Sequence, residues 1–196
     1  MNRNLLIILT CLLVYPLPVL AHNYAGMVGF YDGISHPVLG LDHFLAMISV
    51  GILSAQIGGK AIWTVPTTFV FVMTIGGLVG FILTINDHFF IEVGIVLSVI
   101  LLGFGISIEK KIPIKLIIIF VGIFGLFHGA AHGVEMPKAA NPLLFVIGFV
   151  CGTTTLHLFG VGIGYFSVKK TLSSIILRLA GIFFAFYGGY LITKLF

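Results

Sequence analysis

The sequence predicts an all-α fold, a polytopic transmembrane helical bundle with six spans after a cleaved signal peptide. Three observations carry that reading. Of 196 residues, 59% are hydrophobic and only 8% are charged, against about a quarter charged in an average soluble domain. The mean hydropathy is +1.22, which is more apolar surface than so short a chain can hide in its own interior. The apolar residues also fall in runs near the roughly 20 residues that cross a bilayer as a helix. A soluble enzyme, a nucleic-acid binder and a disordered chain are excluded on these grounds. The lipid bilayer is the partner that composition demands, and no nucleic acid is expected.

The elements follow in order. Residues 1–21 read as a secretory signal peptide: Arg3 supplies the positive start, residues 5–15 the short apolar run, Pro16 and Pro18 break it, and Val19-Leu20-Ala21 offers a small-residue cleavage site. Residues 22–196 then form one six-helix domain, with His22 as the mature N-terminus outside the cytoplasm, offering an amine and an imidazole together. Residues 22–40 are a polar stretch, and Pro37 and Gly40 leave the start of the first span non-helical or kinked. The spans are expected at residues 40–57, 61–85, 89–108, 114–134, 142–168 and 173–192, with Trp63 as an interface anchor. Gly76/Gly80, Gly125/Gly129/Gly133 and Gly148/Gly152 repeat at the small-xxx-small spacing that lets helices approach closely in lipid. Two cysteines, Cys11 and Cys151, are too few for a disulfide framework or a thiolate metal site.

The basic residues orient these spans independently. With the mature N-terminus outside, Lys60, Lys110, Lys111, Lys115, Lys169, Lys170 and Arg178 fall on the cytoplasmic side, and only Lys138 and Lys194 fall outside. That distribution obeys the positive-inside rule. It places both termini of the mature chain outside.

Three spans cannot reach membrane length without taking in ionisable residues. The first includes Asp42 and His43, the third includes Glu92, and the fourth includes His128 and His132. Such groups cost a few kcal/mol each in a bilayer and usually face the bundle interior with a function. The topology puts all seven histidines and five of the six acids in the outer half or near the midplane; Glu109, among lysines, is the exception. Asp87 and His88 lie beside the outer start of the third span and read as a solvated loop. A scatter of neutralised core groups would not segregate in this way.

Within the fourth span, His128 and His132 are four residues apart on one helix face, and Glu135 continues the stripe. That spacing presents two imidazoles to one divalent ion. The zinc-protease motif shares it but needs a glutamate directly after the first histidine, where this chain has Gly129. In the first span Asp42 and His43 are adjacent and diverge by about 100° on a helix, and Met47 shares the face of His43. A kinked start lets His36 fold over the helix end toward them. His157 lies roughly 22 Å below the outer boundary, below His132 at about 7 Å and His128 at about 13 Å. Such a descending series is what a permeation path for a cation looks like. The 19 phenylalanines read as lipid-facing and packing material.

The residues His36-Pro37-Val38-Leu39-Gly40-Leu41-Asp42-His43-Phe44-Leu45-Ala46-Met47 resemble the signature HPxxGxDHxxxM of the HupE/UreJ family. Phe127-His128-Gly129-Ala130-Ala131-His132-Gly133-Val134-Glu135 resembles that family's second signature, FHGxAHGxE, and Thr153-Thr154-Thr155-Leu156-His157 resembles its third. The likeness extends to the signal peptide and six spans and so covers the whole chain. It implies a secondary permease for Ni²⁺, or in some members Co²⁺, in the bacterial inner membrane, linked to hydrogenase or urease maturation.

Chemistry alone points to a borderline divalent ion, because imidazole suits nickel, cobalt, zinc and copper while carboxylates widen the range. The expected ligands are His36, Asp42, His43, His128, His132 and Glu135 at the outer face, with His157 on the way inward and His22, Met47 and Glu92 as further candidates. No enzymatic role and no permanently bound cofactor are expected; the metal is cargo. A bis-histidine haem protein and an intramembrane metal-dependent hydrolase with Glu135 as its base are the alternatives that the residue types leave open.

Overall fold

The structure, a computed structural model, describes residues 29–83, 89–108, 112–136 and 141–196. The signal peptide, His22, Asp87, His88, Glu109, Lys110, Lys111 and Lys138 lie outside the described residues. Among the described residues all regular structure is helical, in seven helices: α1 (Phe30–Leu39), α2 (Leu41–Ile57), α3 (Ala61–Leu83), α4 (Phe89–Ile108), α5 (Ile114–Glu135), α6 (Pro142–Ser167) and α7 (Thr171–Leu195). Each of α3 to α7 is long and apolar enough to cross a membrane. The chain is a multi-pass membrane protein, and its exposed large side chains, such as Phe71, Phe104, Phe166 and Phe186, are the apolar ones that lipid accepts.

The first span departs from expectation. Residues 30–39, read from the sequence as part of a polar stretch, form helix α1 with Pro37 inside it. Helix α2 has only 17 residues, and it reaches spanning length together with α1, from which it is bent by 86°. The bend is at Gly40, which is extended (φ −91°, ψ 119°). A Cβ at Gly40 would stand 2.9 Å from Asp42 Oδ1 and 3.1 Å from His43 Nδ1. Glycine therefore keeps both side chains in place at the bend. Helix α7 runs from Thr171 to Leu195, longer than the expected 173–192.

Helix starts obey local rules. Asn141 Oδ1 accepts from Leu143 N at 3.0 Å and Leu144 N at 3.2 Å, and Pro142 follows where its missing N–H costs nothing. Asp32 Oδ2 accepts from Gly29 N at 3.0 Å at the start of α1.

Packing divides the helices into blocks. Helix α3 lies along α5, α4 along α7, and both α1 and α2 along α6. Each contact is made by glycine against backbone. Gly129 faces the Met73 carbonyl and Gly133 the Gly77 carbonyl; Gly33 faces Phe145, Gly148 faces Phe30, Gly51 faces His157 and Gly160 faces Ile48. Gly103 and Gly181 face each other's carbonyls between α4 and α7. Between the α3–α5 block and the α1–α2–α6 block contacts are sparse, and the ionisable residues meet along that seam.

These contacts give a stability prediction. Ala at Gly129 would drive its Cβ into the Met73 backbone, whereas a Cβ at Gly122 would meet nothing within 4 Å. Gly129→Ala is expected to destabilise by about 1–3 kcal/mol, seen as a lower unfolding temperature in detergent, while Gly122→Ala should leave that temperature unchanged or raise it slightly.

Candidate metal centre

The two sequence clusters come together at one end of the seam. The 86° bend brings His36, on the last turn of α1, over the C-terminal end of α5. There His36 Nε2 lies 3.1 Å from Glu135 Oε2. One nitrogen each of His36 and His132 and one oxygen of Glu135 lie within 4.8 Å of one another. The His36 and His132 rings meet at 4.7 Å between centroids. His36 thus meets Glu135 and His132, and His132 in turn packs against His43.

Helix α2 supplies the third side. The His43 ring lies 4.5 Å from that of His132 and 5.2 Å from that of His128. Asp42 and His43 do not diverge as adjacent residues on a regular turn would suggest. The Asp42 carboxylate turns back, and its Oδ1 accepts from His43 N at 2.9 Å and from His43 Nδ1 at 3.0 Å. With Nδ1 carrying the proton, the buried Nε2 of His43 is left with a free lone pair aimed into the cluster. Carboxylate–imidazole–metal arrangements orient their rings in this way, so the geometry gives Asp42 the role of orienting His43.

His128 is set in the same manner from another direction. Its Nδ1 donates to the Phe124 carbonyl at 2.9 Å, one turn back on α5. Its Nε2 is buried and has no hydrogen-bond partner. His132 makes no hydrogen bond through either nitrogen; its Nδ1 is 3.9 Å from Glu135 Oε2. The cluster is open on the side of His36 and Glu135, whose side chains are 24% and 41% exposed, and closed on the side of His132, at 3%.

Next to the cluster an aromatic ring lies between two imidazoles. Phe69 of α3 is fully buried and touches two imidazoles, His128 at 5.4 Å and His157 at 5.3 Å between centroids. His157 is buried on α6 with both nitrogens unpartnered. It borders a cavity of about 520 Å³ between α3 and α6 that Trp63, Pro66 and Thr67 also line. The sequence reading assigned the phenylalanines to lipid and packing; Phe69 instead separates two candidate ligands. Nothing in the sequence distinguishes it from eighteen others, since its position depends on how α3 meets α5 and α6.

The remaining candidates fall nearby or apart. Met47 is buried on α2, one turn beyond His43. Glu92 is half-buried in the first turn of α4 and is not part of the group formed by His36, His132 and Glu135.

Seven buried side-chain nitrogen or oxygen atoms lack a hydrogen-bond partner among the described residues, and six of them are histidine nitrogens of His43, His128, His132 and His157. An unmet buried polar group costs about 1–3 kcal/mol, so a purely structural network would have paired them. The donor set fits a divalent transition-metal ion: neutral imidazoles with lone pairs free, and two carboxylates at the rim. The edge-on contact of His43 with His128, and Phe69 between His128 and His157, leave no slot between those rings for a flat macrocycle.

Comparison with known proteins finds relatives of nearly the whole chain. The sequence matches the HupE / UreJ protein family over residues 9–191. It is 40% identical over 176 residues to Protein HupE of Rhizobium leguminosarum bv. viciae, covering 89% of this chain and 91% of the relative. No solved structure matches the chain. Every residue of the cluster lies inside the matched region, and with nearly the whole chain aligned, the protein belongs to the HupE/UreJ family.

Proposed function

We propose that this chain is a secondary permease that carries a divalent transition-metal cation, Ni²⁺ or else Co²⁺, inward across the bacterial inner membrane. The observation that supports it most is the line of six buried, unpartnered histidine nitrogens running from the outer cluster to His157. His36, His132 and Glu135 take the ion from the outer solution, His43 and His128 complete its shell, and Asp42 holds His43 in the ligating tautomer. Ligand atoms around one such ion stand roughly 3 Å apart, so capture closes the 4.8 Å group by about an ångström or two and draws α1 toward α5. The ion then passes Phe69 to His157. Inward movement of a double charge is favoured by about 4.6 kcal/mol per 100 mV of membrane potential, so the potential alone is a sufficient driving force. Delivery of such an ion fits a supply role in hydrogenase or urease maturation, as family membership implies.

If the outer residues share one ion, their losses are coupled. His43→Ala and His132→Ala are each expected to weaken Ni²⁺ binding by about tenfold or more, and the double variant by much less than the product. Calorimetry on the purified chain measures this; fully multiplicative losses would mean independent sites and overturn the shared-ion reading.

Ligation needs neutral imidazole. A histidine of ordinary pKa, about 6.5, goes from mostly neutral to mostly charged as the pH falls from about 7 to 5, a roughly 25-fold loss of the ligating form. Ni²⁺ affinity and uptake should therefore fall over that range of outside pH. A flat response would show that no imidazole open to the outer solution holds the ion.

Orientation is part of the same reading. Lys60, Lys115, Lys169, Lys170 and Arg178 gather at the end of the helices opposite the cluster, which supports a cytoplasmic location for that end. A reporter enzyme fused after Phe196 should be active only as an extracytoplasmic reporter; cytoplasmic activity would contradict the arrangement.

A further inference from the structure

Between the outer cluster and His157 the seam holds two heteroatoms that the path described so far does not use. Thr153 of α6 and Met73 of α3 are both completely buried, and the Thr153 hydroxyl faces Met73 Sδ at 4.0 Å across the seam. A threonine inside a helix ordinarily donates to the carbonyl one turn back, as Thr64, Thr74 and Thr155 do. Thr153 donates to a sulfur on another helix instead, which leaves its hydroxyl oxygen free to accept.

Their neighbours fix their place along the path. Met73 and His132 line the same cavity, of about 440 Å³. The Met73 carbonyl lies under Gly129, the residue after His128. One turn along α3 toward the cytoplasm is Phe69, which touches both His128 and His157. One turn along α6 toward the cytoplasm from Thr153 is His157 itself. The sulfur and the hydroxyl therefore stand in the seam between His132 and His157.

We propose that Met73 and Thr153 form a neutral transfer site for the ion between the outer cluster and His157, and that the Met73 thioether is a specificity determinant of the pathway. The proposal rests on the permease reading above. A thioether is a soft donor that a borderline ion such as Ni²⁺ accepts and a hard ion such as Mn²⁺ or Mg²⁺ does not. The site also lacks negative charge: the acids among the described residues, Asp32, Asp42, Glu92 and Glu135, all sit in the first or last turn of their helices. Neutral donors hold a cation long enough to replace part of its hydration shell but weakly enough to release it, which conduction requires.

The test uses the full chain in proteoliposomes, with Ni²⁺ and Mn²⁺ influx measured beside Ni²⁺ binding by calorimetry. Met73→Leu keeps volume and shape and removes the sulfur. It should leave outer-site affinity within about twofold, slow Ni²⁺ influx roughly tenfold, and leave Mn²⁺ influx unchanged, so that discrimination collapses. Thr153→Val removes the hydroxyl on the opposite helix and should slow Ni²⁺ influx in the same direction, which keeps the test decisive if Met73→Leu fails to fold. Wild-type Ni²⁺ influx and discrimination in a folded Met73→Leu, or wild-type influx in Thr153→Val, would overturn the transfer site alone. Absence of any metal influx through the wild-type protein would overturn the permease reading, and the transfer site with it.

Discussion

Direct contact of glycine with backbone carbonyls is the constraint on which the rest of this structure depends. Lipid removes the hydrophobic drive for helices to associate, so van der Waals packing must do the work. Gly129 and Gly133 bring α5 against α3, Gly33 and Gly148 bring α1 against α6, and Gly51 and Gly160 bring α2 against α6. Each contact is made at a position where one Cβ would force the helices apart. The same contacts place the chemistry: Gly129 and Gly133 immediately follow His128 and His132, and Gly51 rests on the carbonyl of His157. Moving a histidine would mean moving a backbone interface.

The blocks so formed divide the candidate ligands. His36, Asp42, His43, Thr153 and His157 belong to α1, α2 and α6; Phe69, Met73, His128, His132 and Glu135 belong to α3 and α5. On the proposed reading an ion at the outer face is bound by both blocks at once, and it draws them together only while it is there. Contacts across the seam are fewer than those within each block, and a shared core of side chains such as Val50, Phe69 and Val121 joins the blocks. Because the candidate ligands come from both blocks, ion binding can bias how closely their ends approach.

Much of this was legible in the sequence because membrane helices obey a length rule and polar residues in them are expensive. The spans from α3 to α7 are found within a few residues of where hydropathy puts them, and the segregation of His43, His128, His132 and Glu135 to one end follows from counting residues along alternating helices. The first span was harder. Residues 30–39 contain Asp32, Ser35, His36 and Pro37, a composition that argues against a helix in isolation, yet packing of Gly33 on Phe145 and of Phe30 on Gly148 stabilises one. His36 sits on a helix, not on a flexible loop, and so it meets Glu135. Asp42 bonding to its own neighbour, Phe69 between two imidazoles, and Met73 against Thr153 depend on side-chain direction and on which helices are adjacent, and neither periodicity nor charge counting carries that information.

On the proposed reading the distribution of charge along the seam accounts for both capture and release of one ion. Asp42 and Glu135, partly open to water, would supply negative charge that offsets the loss of the ion's hydration shell. Deeper, the donors are neutral and buried, and each unpartnered nitrogen costs about 1–3 kcal/mol of folding free energy. Four such rings would burden a protein of this size were the glycine-packed blocks not holding them in place. On the proposed reading that unmet hydrogen bonding is what lowers the barrier to passage, because a dehydrated cation finds a lone pair at every step from His132 through His128 to His157. The acids stop where the rings begin. A carboxylate at the depth of His157 would hold the ion against departure, and a seam without imidazoles would keep it out.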